Sequence, residues 1–288
     1  MRKIAIVGAT GMLGQPVTKE FVQAGFEVTI LARDAEKAKK VLNAPARIVQ
    51  GNLEDKGSIE RLLEGQEGLY LNLSVDPSSS EKDFQPEREG LQHLIEAAKK
   101  STIHRIGYLS SLVHRYQGQN GFNWWAFDVK QQAVKAIKGS GIAYAIFYPS
   151  TFMENFDKGA YRQGNKLNLA GTSKYPMFLI AGSDYGKQVV KAFERDHGNS
   201  EYVVQGPDGY TADEAARIFA SNYTKAQIKV VKLPFSVLRF LGMLTNKFNY
   251  AANIVEALNN YPEKFEAAET WQELGKPQTR FVAYATST

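Results

Sequence analysis

The sequence predicts an α/β protein: a doubly wound parallel sheet with a smaller C-terminal α/β lobe. Three observations carry this. Short apolar runs at 4–7, 28–31, 47–49, 69–73, 105–109 and 143–147 are nearly continuous in hydrophobicity and bounded by Gly, Pro or Ser, which suits strands buried on both faces. Helical patterns lie between them, and strand–helix alternation builds a parallel sheet. Three glycines join the first run to the first helix. The 288 residues allow about two domains.

The elements follow in order. After the glycine cluster, 84–100 carries Leu91, Leu94, Ile95 and Ala98 at helical spacing, and 129–137 places Val129, Ala133, Val134 and Ile137 on one face. Beyond Pro149 the rhythm changes. A helix is expected over 183–194, a strand over 202–204 and a turn at Gly206-Pro207-Asp208-Gly209. Thr211 and Glu214 have capping-box spacing ahead of a helix over 215–221. Residues 228–231 read as a strand, and Pro234 starts one long helical region to about residue 259. The expected division is 1–150 for the main domain and 151–288 for the lobe, with 183–204 returning to the main sheet.

Composition narrows the function. The 43% hydrophobic content with 24 Gly is ordinary globular usage, and the absence of Cys excludes disulfides, thiolate metal sites and a Cys nucleophile. The net charge of +5 comes from cations interleaved with acids, as in Arg33-Asp34-Ala35-Glu36-Lys37, so a mixed solvated surface is expected rather than a nucleic-acid face. No apolar run approaches the ~20 residues of a membrane span. The apolar stretch after Met1-Arg2-Lys3 is too short for a signal-peptide core, so the expected location is cytoplasmic. His93, His104, His114 and His197 are scattered without metal-ligand spacing, so no metal is expected.

Gly8-Ala9-Thr10-Gly11-Met12-Leu13-Gly14 has G-x-x-G-x-x-G spacing between a strand and a helix. Gly8 permits a sharp turn, Gly11 lets the backbone approach a pyrophosphate, and Gly14 lets the helix pack close to the strand. The helix N-terminus then offers free N–H groups to phosphate. Nucleotide choice is set after the second strand, where Arg33 stands 19 residues beyond Gly14. A guanidinium there grips a 2′-phosphate, so NADP is favoured over NAD. Asp34 beside it serves either as a helix cap or as a competing acid.

In these residues the chain resembles the NmrA-like branch of the atypical short-chain dehydrogenases/reductases, a Rossmann-type NAD(P)-binding group. Gly8–Gly14 and Leu31-Ala32-Arg33-Asp34 carry the likeness, with Leu109-Ser110-Ser111, Lys130, Tyr148-Pro149-Ser150-Thr151-Phe152-Met153-Glu154-Asn155 and the Gly206-Pro207 turn. It covers about residues 1–225. It implies cofactor contacts at Gly8, Thr10, Gly11, Met12, Leu13, Gly14, Arg33, Asn52, Leu53, Ser74, Ser110, Lys130, Tyr148 and Pro149. Lys130 and Ser111 are the implied catalytic residues. Two departures matter. The Tyr that active members carry four residues before the Lys is Ala126 here, and the usual Gly-Asp-Leu reads Gly51-Asn52-Leu53. Asn52 is expected to bond the adenine amino group.

Trp124, Phe152, Met153 and His114 are the candidate substrate contacts. The aromatic loop 116–127 is expected either to wall a planar, apolar substrate or to pack against the small lobe. Tyr148 and Tyr116 are candidates to replace the missing Tyr. Phe235, Phe240, Phe248 and Tyr250 suit lobe core or a dimer face better than a membrane anchor. The leading expectation is an NADPH-dependent reductase of a small planar or apolar electrophile such as a quinone. The alternative is a non-catalytic NADP(H) sensor that binds a partner protein. A sugar-nucleotide epimerase or dehydratase ranks third, because Ala126 counts against it. A monomer or homodimer is expected.

Overall fold

The computed structural model describes residues 1–195 and 198–288; His197 lies outside them. Seven strands form one parallel sheet: β1 (Lys3–Val7), β2 (Glu27–Ala32), β3 (Arg47–Gln50), β4 (Gly68–Leu71), β5 (Arg105–Leu109), β6 (Ala143–Pro149) and β10 (Ser200–Val204). Their order is β10-β6-β5-β4-β1-β2-β3. The order reverses between β1 and β4, which opens a crevice at the carboxyl edge. Strand β10 pairs with β6 from Ser200↔Ala145 to Val204↔Pro149, one strand more than the six of the sequence's first half.

Each face of the sheet carries helices. On one side α3 (Lys56–Leu63), α4 (Leu91–Ala98) and α5 (Trp125–Lys138) bury Ile59, Leu62, Leu94, Val129 and Ile137. On the other α1 (Gly14–Gln23), α2 (Ala35–Leu42) and α7 (Gly182–Arg195) bury Val17, Phe21, Ala38, Val189 and Phe193. Coverage of both faces is why the strands read as continuous apolar runs rather than alternating ones. Phe193 is fully buried and its ring lies where a Cβ on Gly107 of β5 would fall, 2.5 Å away.

The lobe has its own core. Strand β8 (Lys166–Ala170) pairs in parallel with β12 (Lys229–Leu233) and antiparallel with β7 (Arg162–Gln163). Strands β9 (Met177–Phe178) and β11 (Gly209–Tyr210) form a second small ladder. Helices α6 (Glu154–Asp157), α8 (Ala212–Asn222) and α12 (Phe281–Ser287) complete it, with Phe156, Phe219 and Phe281 in its core, while α11 (Ala268–Leu274) packs back on α7 and β10 and buries Leu274 in a core of the main sheet. The capping box of α8 forms as its sequence spacing requires: Thr211 accepts from the Glu214 amide and Glu214 from the Thr211 amide.

Two expectations are corrected. The helix expected over 84–100 begins as a π-helical turn, Pro86–Gly90, before α4. The single long helix after Pro234 is two helices, α9 (Phe235–Gly242) and α10 (Asn246–Asn260). Thr245 breaks it by capping α10 through the Phe248 amide, the role for which Ser and Thr compete with helix continuation. The late aromatics divide: Tyr250 packs on Trp124, while Phe240 and Phe248 are exposed and belong to no core.

Phe193→Ala removes a fully buried ring from the sheet's second face. It is expected to cost about 3–5 kcal/mol, measured as a lowered urea midpoint at unchanged slope.

Candidate functional site

Because every strand of the main sheet is parallel, all seven carboxyl ends meet at one edge. There the structure gathers residues separated by up to two hundred positions. Gly8 takes a φ of +79°, and a Cβ on it would lie 2.1 Å from the Asn72 carbonyl oxygen. A Cβ on Gly14 would lie 2.0 Å from the Gly8 oxygen. Gly11 is different. Its amide donates to the Gly8 oxygen at 3.1 Å, a Cβ on it would lie 3.3 Å from that same oxygen, and the residue is exposed. Two glycines therefore close the turn and the third leaves it accessible. Helix α1 starts here with no side-chain cap and no acidic residue in its first turn. Uncapped amides, a positive helix end and an exposed approach are the features that suit an anion. Thr10, Met12 and Leu13 are partly exposed around it. Asn72, which the sequence reading missed, braces the loop: its amide bonds the Gly8 oxygen at 3.4 Å.

Along β2 the chain ends in Arg33 and Asp34. Asp34 caps α2 by accepting from the Lys37 amide at 2.9 Å. Its carboxylate is thereby committed to the helix, which leaves Arg33 exposed at the edge. Arg33 lies near enough to Asp76 to help hold that carboxyl below its usual range, behind the stronger hydrogen bonds from Ser78. Asn52 departs from the expectation placed on it. Its side-chain oxygen already accepts from the Glu54 and Asp55 amides at 2.8 and 3.0 Å. Both lone pairs are used, so it offers a base the amide N–H rather than an acceptor for an amino group. Leu53 packs beside Gly90 and its carbonyl meets His93. Ser74 is exposed just past β4.

Beyond β5 lies a cluster that the sequence did not reveal. Lys130 on α5 donates to Oε1 of Glu87 at 2.5 Å, and the Tyr108 hydroxyl donates to the same oxygen at 2.6 Å. The Glu87 side chain is 0% exposed and that of Lys130 16%. Oε2 of Glu87 is buried with no partner. A buried carboxylate is costly without a paired cation, so the pair fixes the position of the Lys130 nitrogen against Glu87. Burial, and then Glu87, push the Tyr108 hydroxyl well above its ordinary range.

Next to it Ser110 shares a hydrogen bond with Nδ1 of His114 at 3.3 Å. Burial, then the charges of Lys130 and Arg115, push the His114 imidazole down to about 3. It is neutral at physiological pH. Ser111 is half-buried at the same strand end. Neither Tyr candidate stands in for the missing Tyr. Tyr148 donates to Glu201 at 2.7 Å, and Tyr116 is buried against Phe122. Pro149 closes β6, and its carbonyl accepts from the Leu112 amide.

Trp124 is buried between Phe127 and Tyr250 of α10, at ring distances of 4.9 and 5.0 Å. The aromatic loop thus packs on the lobe. It also keeps an open side, because Trp124 and Trp125 line a cavity of about 180 Å³ with Ser79, Glu81, Asn246 and Tyr250. Met153 is fully buried in the lobe core, and Phe152 packs on Tyr185. The larger concavity, about 680 Å³, is lined by Gln163, Asn165, Lys166 and residues 227–229. None of those lies at the sheet edge. Among the described residues no three His, Asp or Glu side chains converge as a metal site.

Two predictions follow from these buried charges. Lys130→Ala strands the Glu87 carboxylate and is expected to cost about 3 kcal/mol, whereas the double variant Glu87→Gln/Lys130→Met recovers most of that in urea unfolding. For His114 the folded-state value lies below the unfolded ~6.5, so the unfolded chain binds the extra proton. Its contribution is complete above pH 6.5 and declines as pH falls toward 3, by about 1 kcal/mol per pH unit. The difference in unfolding free energy between wild type and His114→Gln, followed from pH 7 to 4, should shrink on acidification.

With the geometry in place, comparison with known proteins gives three findings. The family model described as "NmrA-like family" matches residues 1–279. Among curated proteins, the photosystem II assembly factor Ycf39 of Synechocystis is 24% identical over 260 residues, covering 89% of this chain and 78% of that one. An NAD(P)H azoreductase of Xenophilus azovorans is 23% identical over 217 residues, 74% of this chain and 71% of that one. Among solved structures, an NADPH-dependent quinone oxidoreductase of Escherichia coli in complex with NADPH superposes with a TM-score of 0.72 at 19% identity, covering 99% of each chain.

Proposed function

Since the chain belongs to the NmrA-like family, we propose that it binds NADP(H) at the carboxyl edge of the main sheet and reduces a small planar or apolar electrophile such as a quinone. The lobe at 151–288, apart from the segment that returns to the sheet, closes over the acceptor. The observation that carries the cofactor reading is the open, uncapped turn at Gly11 beside an exposed Arg33 whose acidic neighbour is committed to a helix cap. The turn amides hold the diphosphate, and Arg33 pairs the 2′-phosphate. Asn52 donates to a ring nitrogen of adenine. The bound nicotinamide supplies the hydride.

The acceptor class follows from what the chain lacks. Ala126 replaces the family's proton donor, His114 is neutral, and the Tyr148 hydroxyl is engaged with Glu201. Lys130, positioned by Glu87 and over the Tyr108 ring of β5, contributes an N–H donor there. Such a site favours an acceptor that stabilises the added electron pair itself over one that needs a strong acid. The named activities of the azoreductase and of the quinone oxidoreductase support this reading.

A second reading has its own support. The same missing donor, together with the assembly-factor relatives, favours a protein that binds NADP(H) and changes its affinity for a protein partner without turnover. An epimerase is disfavoured by Ala126.

Calorimetric titration separates these possibilities in order. Arg33→Ala is expected to weaken NADPH roughly tenfold or more while leaving NADH within about twofold, the loss of one charge-assisted phosphate pair. Equal loss for both nucleotides would remove the 2′-phosphate assignment. Wild type should then oxidise NADPH with members of a quinone panel, and Glu87→Gln/Lys130→Met should lower that turnover at least about tenfold. Tight NADPH binding with no turnover across the panel would favour the sensor.

A further inference from the structure

Strands β4 and β5 pair in parallel, so the loops that leave them start side by side at the carboxyl edge. Both loops and α10 bound the cavity of about 180 Å³: Ser79 comes from the first, Trp124 from the second, and Asn246, Asn249 and Tyr250 from the helix. The Asn246 amide bonds the Ser78 carbonyl at 3.1 Å, which ties α10 across the first loop. Open parallel sheets bind their ligands outside the carboxyl ends of the strands, and the cavity lies on that side. An apolar cavity of about 150 Å³ holds one benzene ring, so this one suits a small ring compound.

Tyr250 differs from the other tyrosines of this edge. The hydroxyls of Tyr108 and Tyr148 donate to Glu87 and Glu201, and that of Tyr116 meets the Asn120 amide. Among the described residues the Tyr250 hydroxyl makes no hydrogen bond. Its ring stands edge-on to Trp124 at 5.0 Å. Trp124 and Trp125 directly precede Ala126, where the family's proton donor is missing. A hydroxyl from the lobe thus arrives beside the turn of α5 that lacks one. Glu87, which holds Lys130, also acts on it: burial first, and then that carboxylate, push the Tyr250 hydroxyl up to about 12. It stays protonated at physiological pH and serves as a hydrogen-bond donor rather than an acid.

We propose that this cavity is the acceptor's site, and that the Tyr250 hydroxyl donates to the carbonyl oxygen of a single-ring quinone bound there. The chemistry rests on the reductase reading; the binding does not. In the reduction the acceptor takes a hydride from NADPH, leaving NADP⁺, and the added electron pair settles on the carbonyl oxygen. The Tyr250 hydrogen bond strengthens toward that developing charge. The hydroxyl keeps its proton, and water supplies the one that completes the product.

Calorimetry of duroquinone with the full-length chain, with and without NADP⁺, reads binding in the absence of turnover. Wild type should give a saturable heat. Tyr250→Phe keeps the ring on Trp124 and should weaken the quinone about fivefold. Asn249→Phe, a larger side chain on the cavity wall, should abolish binding. In NADPH turnover Tyr250→Phe should lower kcat roughly tenfold or more, with a smaller change in KM and with the NADPH affinity and melting temperature of wild type. Tyr175→Phe, at an exposed tyrosine elsewhere, should change none of these. The proposal is overturned by wild type that binds no quinone, or by Tyr250→Phe that matches wild type in both binding and turnover. A loss that comes with a lowered melting temperature in Tyr250→Phe also overturns it, by assigning the residue to packing alone. Quinone binding that Tyr250→Phe weakens, with no turnover by wild type, keeps the site and removes the reductase reading instead.

Discussion

The space between the Gly8 carbonyl, the Asn72 backbone and the first residue of α1 is smaller than a methyl group. Strand β1 can turn into α1 only because no side chain stands there. The turn sets the direction of α1, which packs against α7 on one face of the sheet. It also points the unpaired amides of α1 into the crevice where the strand order reverses. One steric constraint thus places the helix and exposes the anion site.

A second constraint is electrostatic. Glu87 is wholly buried, and its two donors come from β5 and α5. An unpaired carboxylate at that depth would be far costlier than the pairing it receives. The ammonium of Lys130 is therefore held at the end of β5, beside the Ser110–His114 pair. A comparable logic ties the lobe down. Glu263 accepts from Ser150, Gln205 and the Phe178 amide, joining the ends of β6 and β10 to the loop before α11. Burial raises its carboxyl above the usual range, so those three donors lower the cost of keeping it inside.

Much of the main sheet was legible because its signals are local. Continuous apolar runs mark strands covered on both faces, and the G-x-x-G-x-x-G spacing marks a turn whose sterics involve neighbours in sequence. Arg33 and the capping role of Asp34 were readable for the same reason, since a cap spans three residues. Glu87 was not, because it lies 43 positions from Lys130 and nothing in a Pro-Glu-Arg-Glu stretch distinguishes a buried acid from a solvated one. The lobe was least legible. Its two-residue strands leave no periodicity, and the break at Thr245 depends on one hydroxyl reaching one amide.

The sequence by itself determined the parallel sheet, the glycine turn, the basic residue after β2 and the loss of the family's Tyr at Ala126. These are consequences of residue type and short spacing. Only the tertiary structure decided that Lys130 answers to a buried carboxylate, that Asn52 has spent its acceptor on its own loop, that Met153 is core, and that Phe240 and Phe248 face solvent. Each of those depends on which distant backbone or side chain arrives within about 3 Å, the reach of a hydrogen bond or a packed contact, and a linear pattern carries no record of that arrival.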